Sequence, residues 1–63
     1  MLTIRESEIL QMCADGFSNI EIAENLYISE NTVKVHLEHI FIKLNAQNRT
    51  SAAVKAIRAG FIQ

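Results

Sequence analysis

Apolar positions along this chain fall into four bursts, each opened by a small hydroxyl or amide side chain and three of them closed by glycine or asparagine. Ile9, Leu10, Cys13 and Ala14 recur at helical spacing behind Thr3-Ile4-Arg5-Glu6. That tetrapeptide has the form of a capping box, in which the Thr3 hydroxyl accepts from the Glu6 amide while the Glu6 side chain returns to the Thr3 amide. Asp15-Gly16 supplies a left-handed stop, so the pattern predicts a helix at about residues 3–14. Ser18 and Glu21 repeat the box, with Phe17 and Ile22 at staple spacing, and predict a second helix at about 18–26. Only Leu26-Tyr27-Ile28 separates it from Ser29, the next cap, whose neighbours Ile28 and Val33 again have staple spacing. Two helices joined by so short a link form a helix-turn-helix.

The third burst predicts a helix over about 29–44, ending at Asn45, the best substitute for glycine in a left-handed cap. Val33, Leu37, Ile40 and Leu44 fall within about 60° of one another at 100° per residue, with Phe41 at the margin, and this stripe faces the core. Thr32 stands where a capping box would place Glu, so its hydroxyl is expected to be free for an outside partner. Asn48 or Thr50 caps a fourth helix at about 48–59 that stops at Gly60. Here Ala53, Val54 and Ile57 are expected to form the core stripe. Ala52, Ala56 and Ala59 form a second row on the adjoining face, left outward for close contact between two copies of the domain.

The fold class is therefore all-α, a compact four-helix domain spanning 1–63. With 63 residues, no proline and only two glycines, this is a single small domain of a size at which folding hides about 60% of the chain's surface, too little for a deep catalytic cleft. One cysteine, Cys13, forms no internal disulfide, and the charged start MLTIRESE lacks the apolar centre of a signal peptide. No apolar run approaches the roughly 20 residues a membrane span needs. These features predict a soluble, cytoplasmic protein with no membrane partner.

The net charge of −1 hides a division. Residues 1–30 carry Arg5 against Glu6, Glu8, Asp15, Glu21, Glu24 and Glu30, a net −5; residues 31–63 carry Lys34, Lys43, Arg49, Lys55 and Arg58 against Glu38, a net +4. Such asymmetry suits a polyanion-facing second half, and a solvated set of charges would look the same. No nucleophile–base–orienter triad and no glycine-rich phosphate loop is discernible, so an enzyme is not expected. His36 and His39, with Cys13 as a distant third ligand, fall short of a structural zinc set, so neither metal nor cofactor is expected. Asn48-Arg49-Thr50 matches a glycosylation sequon but reads more simply as a helix start.

The outward face of the third helix holds Asn31, Lys34, Val35, Glu38 and Ile42, flanked by Thr32, His36 and His39. Lys34 and Glu38 have the spacing of an ordinary surface pair. A major-groove reader needs donors for guanine O6 and N7 and an apolar contact for the thymine methyl, and Lys34 and Val35 supply one of each. Val35 lies roughly 160° from the Val33 stripe, where a thymine methyl would meet it. Thr32, His36 and the first amides of the helix are placed to hold phosphates and set the register.

Three blocks, LTIRESEIL, GFSNIEIAENLYISENTVKVHLEHIFIKL and NRTSAAVKAIRAGFI, resemble in order and spacing the LuxR/FixJ-type helix-turn-helix domain of bacterial transcription regulators, over nearly the whole chain. The resemblance implies a sequence-specific regulator, as in response regulators, whose third helix enters the major groove of double-stranded DNA and whose fourth helix forms a homodimer on an inverted repeat. It implies base contacts at Lys34, Val35 and Glu38, and phosphate contacts at Thr32, His36, Lys43, Ser18 and Asn19. An ion pair of Glu6 with Arg49 is implied between the first helix and the fourth, as are an upstream receiver or ligand-binding domain and an RNA polymerase partner. Two positions depart from the family pattern: Asn45 replaces a glycine, and Glu38 puts a carboxylate where relatives are often basic or polar. That carboxylate repels phosphate unless it accepts from a cytosine amino group. A sigma-factor region 4-like domain, or an interaction module that kept the fold and lost DNA binding, remains the alternative.

Overall fold

A computed structural model of the chain describes all residues, 1–63, and contains four helices and no strand: α1 (Ile4–Ala14), α2 (Asn19–Leu26), α3 (Glu30–Leu44) and α4 (Arg49–Ala59). The expected N-caps are all in place. Thr3 and Ser18 each accept from the amide three residues on while Glu6 and Glu21 return the bond, which completes two capping boxes. Ser29 caps α3 without a box, and Asn48 rather than Thr50 caps α4 through a 2.9 Å bond from the Ser51 amide. The Thr32 hydroxyl lies 2.8 Å from the Ser29 hydroxyl, so one of its hydrogen-bonding positions is used within the cap and the others stay open.

All four helices stop in the same way. A residue in the left-handed region, Gly16, Tyr27, Asn45 or Gly60, turns the chain. The next amide then reaches back across the last turn, from Phe17 to Met12, Ile28 to Ala23, Ala46 to Phe41 and Phe61 to Ala56, at 2.8–3.1 Å. Those four next residues all pack against the core, which joins each stop to the hydrophobic contact that usually accompanies it. Tyr27 is the exception in chemistry: a β-carbon in this region costs about 1 kcal/mol, which glycine would avoid, and the residue is 94% exposed, so burial returns almost nothing. The pattern of the sequence gives no sign that the turn of the helix-turn-helix is built on this residue.

Ile9, Leu10, Ile22, Val33, Leu37 and Ile40 form the centre, closed by Leu2 and Ile62 from the two ends of the chain. The Gln11 side chain holds the last residue like a strand partner, donating to the Gln63 carbonyl at 2.9 Å and accepting from its amide at 2.8 Å. The α3 stripe is as expected, with Leu44 and Phe41 packed at its margins. The α4 assignment inverts. Ala52 and Ala56 are fully buried and only Ala59 of that row is exposed, whereas Val54 and Ile57 are 40% and 49% exposed and Ala53 half-buried. Alanine lets α4 sit close to α1 and α3, and the larger side chains turn outward; the row Ala52, Ala56, Ala59 is therefore not an outward contact surface.

The expected ion pair also has a different partner. Glu6 is buried, and its Oε1 meets Lys43 Nζ of α3 at 2.7 Å, not Arg49. Burial pushes the Glu6 carboxyl up, but the bonds from Lys43 and the Thr3 amide outweigh it and hold the group below its ordinary range. A carboxyl depressed in the folded state stabilises the fold above its ordinary value of 4.5, and this contribution is lost as pH falls through the lower folded value. Lys43→Met keeps the stem and removes the charge, leaving a buried carboxylate unpaired. Urea unfolding is expected to show a deficit of about 2 kcal/mol at pH 7. The deficit should shrink as pH falls through the depressed folded value of Glu6, where the carboxyl becomes neutral; a deficit unchanged with pH would assign the effect to packing of the stem.

Candidate nucleic-acid interface

With its Val33–Leu37–Ile40 stripe buried, α3 turns Asn31, Lys34, Val35, Glu38 and Ile42 outward, all of them exposed. Val35 keeps 41% of its surface in water, the condition for an apolar contact with something outside the fold. Lys34 pairs with Glu30 one turn back, at 3.7 Å, rather than with Glu38, and both side chains stay largely solvated. Such a pair is weak, so Lys34 can leave it for another acceptor at little cost, and Glu38 has no cation tied to it.

The candidate residues separate by position. Lys34 and Glu38 line one open recess of about 310 Å³ with Asn19 from the first turn of α2 and Arg49 from the first turn of α4; Leu37 and Phe41 form its floor. Ser18 lies at the same end of α2, its hydroxyl accepting from the Glu21 amide. The Ser18 amide and hydroxyl in turn hold the Glu21 carboxyl below its ordinary range, so a fixed negative charge stands beside the two α2 residues expected to meet phosphate. Thr32 and His36 are on α3 outside the recess, and His36 is half-buried. Lys43 is taken up by Glu6, which leaves it the least available of the phosphate candidates.

Arg49 is the residue whose place the sequence reading missed. Its Nη1 donates to Asn19 Oδ1 at 2.8 Å, and its Nη2 to the Phe17 carbonyl at 2.9 Å and to Cys13 Sγ at 3.1 Å. One planar group thereby ties α4 to α1, to the α1–α2 link and to α2. Burial pushes the Cys13 thiol up, more than the neighbouring guanidinium lowers it, so the sulfur sits there as a thiol acceptor. The only hint in the sequence is an arginine directly after a helix cap, where helices favour acids.

On the other side of Arg49 a second recess, about 420 Å³, runs between the end of α1 and α4, lined by Cys13, Ala14, Thr50, Ala53, Val54 and Ile57. Its apolar rim is the exposed part of α4. No group of three or more His, Cys, Asp or Glu side chains is placed to share a metal ion, and no helix is long and apolar enough to cross a membrane.

Comparison with known proteins places these features. The profile of the GerE family, described as "Bacterial regulatory proteins, luxR family", matches residues 1–56. The transcriptional regulatory protein DegU of Brevibacillus brevis is 49% identical over all 63 residues, which make up 27% of that protein's length. The transcription factor GerE superposes with a TM-score of 0.94 at 35% identity, covering 98% of this chain and 92% of its own. The response regulator ChrA of a heme-sensing two-component system superposes equally well at 48% identity, but this chain spans only 31% of it.

Proposed function

We propose, from the premise that the chain belongs to the luxR family of bacterial regulatory proteins, that residues 1–63 form one DNA-binding domain that reads a major groove with α3. The observation that carries this reading is the outward face of α3, where a weakly held lysine, an exposed valine and an unpaired carboxylate stand on a helix whose other side is locked into the core. Lys34 donates to a guanine edge, Val35 meets a thymine methyl and Glu38 accepts from a cytosine amino group. Ser18, Asn19, Thr32 and His36 hold the phosphates on either side and set the register. Lys43 drops out of that set, because moving it to DNA would strand the buried Glu6.

The domain acts as a homodimer on an inverted repeat, and the correction to α4 moves the contact from Ala52, Ala56 and Ala59 to Val54 and Ile57, the exposed apolar rim of the second recess. DegU and ChrA are three to four times the length of this chain, which supports a domain arrangement in which an upstream receiver or ligand-binding domain controls the pairing. In such an arrangement the whole regulator works in the cytoplasm and signals to RNA polymerase.

Titration of the chain with an inverted-repeat duplex and a random duplex at several salt concentrations tests the reading. Affinity is expected to fall steeply with salt, with a slope of about −0.9 per neutralised phosphate, and to favour some sequences over others. Lys34→Ala should cost about 1–3 kcal/mol and relax preference at one base position. No binding to either duplex at low salt would favour an interaction module, the reading that the net charge of −1 and Glu38 support. For the dimer, Ile57→Glu should abolish the difference in apparent affinity between a full inverted repeat and a single half-site, while half-site binding stays unchanged; cooperativity that survives the substitution would rule out this face.

A further inference from the structure

Asn19 is a planar amide with an acceptor at one end and two donors at the other, and only one end can face a ligand. Arg49 Nη1 occupies the Oδ1 end at 2.8 Å. The reverse orientation would press two donors against a guanidinium, so the bond selects one of two amide orientations of otherwise similar shape. The Nδ2 end donates to no protein group, and every buried side-chain nitrogen or oxygen has a partner, so Nδ2 is open to solvent. Asn19 lines the same recess as Lys34 and Glu38. As elements α2 and α4 do not pack against each other, and the bond from Arg49 is the direct side-chain link between them. Arg49 itself is held by two further acceptors, the Phe17 carbonyl and Cys13 Sγ, so it is a rigid reference rather than a side chain that turns with Asn19.

We propose that Arg49 is a positioning residue for DNA recognition, holding the Asn19 amide so that its two N–H donors, and not its carbonyl oxygen, face a backbone phosphate beside the groove read by α3. This rests on the DNA-reading assignment and adds a residue that does not itself touch DNA. The same turn of the amide presents donors to an anion and keeps a second carbonyl dipole from joining the Glu38 carboxylate in facing the polyanion.

Asn19→Asp separates the two ends of the group. The carboxylate still accepts from Arg49 and suits the first turn of a helix, so the melting temperature should be kept, but the outward donors become acceptors. Duplex affinity is expected to fall about tenfold or more, with the salt slope smaller by about one. Unchanged affinity would overturn the proposal. A double-mutant cycle then tests Arg49: Arg49→Met should weaken duplex binding in the natural chain and weaken it no further in an Asn19→Ala background. Equal losses in both backgrounds, or no loss in either, would overturn a role exerted through Asn19. Should Arg49→Met fail to fold, Asn19→Asp decides alone. If the unsubstituted chain binds no duplex, the DNA-reading assignment itself falls, an outcome distinct from a chain that binds and is indifferent to position 19.

Discussion

Arg49 makes the direct side-chain bond between two helices that do not pack on each other. α1 and α3 each pack on both α2 and α4, which sets where those two helices lie, while α2 and α4 do not pack on each other; the guanidinium that reaches Asn19, Phe17 and Cys13 adds a direct tie between them. Lysine at this position would offer a compact ammonium on a flexible stem, without the planar fork that meets acceptors on three segments at once. The start of α2, the outward face of α3 and Arg49 itself line the recess where Asn19, Lys34 and Glu38, three of the candidate DNA contacts, come together. α2 is held on α3 by its buried Ile22 and Ala23, and the bond from Arg49 fixes the side chain of Asn19 at the edge of that recess.

The rest of the molecule is a means of fixing four short helices around few buried side chains. None of the helices exceeds 15 residues, a length at which isolated helices are marginal in water. Each is therefore fastened at both ends, by a side-chain cap at the start and by a left-handed stop whose following residue enters the core. The ion pair of Glu6 with Lys43 adds a tie between α1 and α3. It is also the reason a lysine on the second, basic half of the chain is unavailable to a polyanion, so the charge asymmetry overstates the surface that faces DNA.

What is local was legible in the chain. Thr3, Ser18, Ser29 and Asn48 carry their caps in their own side chains, and the α3 stripe is narrow enough to fix which way Val35 points. What depends on packing was not. α4 has four alanines, a valine and an isoleucine in 11 residues, so its apolar positions cover most of its circumference and give no single stripe; only the close approach of α1 and α3 decides that alanine is inside. Glu6 has Lys43 and Arg49 far ahead of it in sequence, and the choice between them is made by how α3 lies across α1. Tyr27 was missed because a turn residue with a positive φ is usually announced by glycine or asparagine, and Thr32 because its place in the cap is a contact between two hydroxyls, not a motif.

Membership of the luxR family brings the outward face of α3 and the α2 start into one account, in which a locked inner face aims a loosely held outer one at DNA. Backbone amide shift mapping during titration with an inverted-repeat duplex tests that account most directly. The account expects the largest changes at Asn31, Lys34, Val35 and Glu38 and around Ser18 and Asn19, with the buried Val33, Leu37 and Ile40 of α3 moving little. Changes confined to α1 and α4, with the outward face of α3 silent, would contradict it.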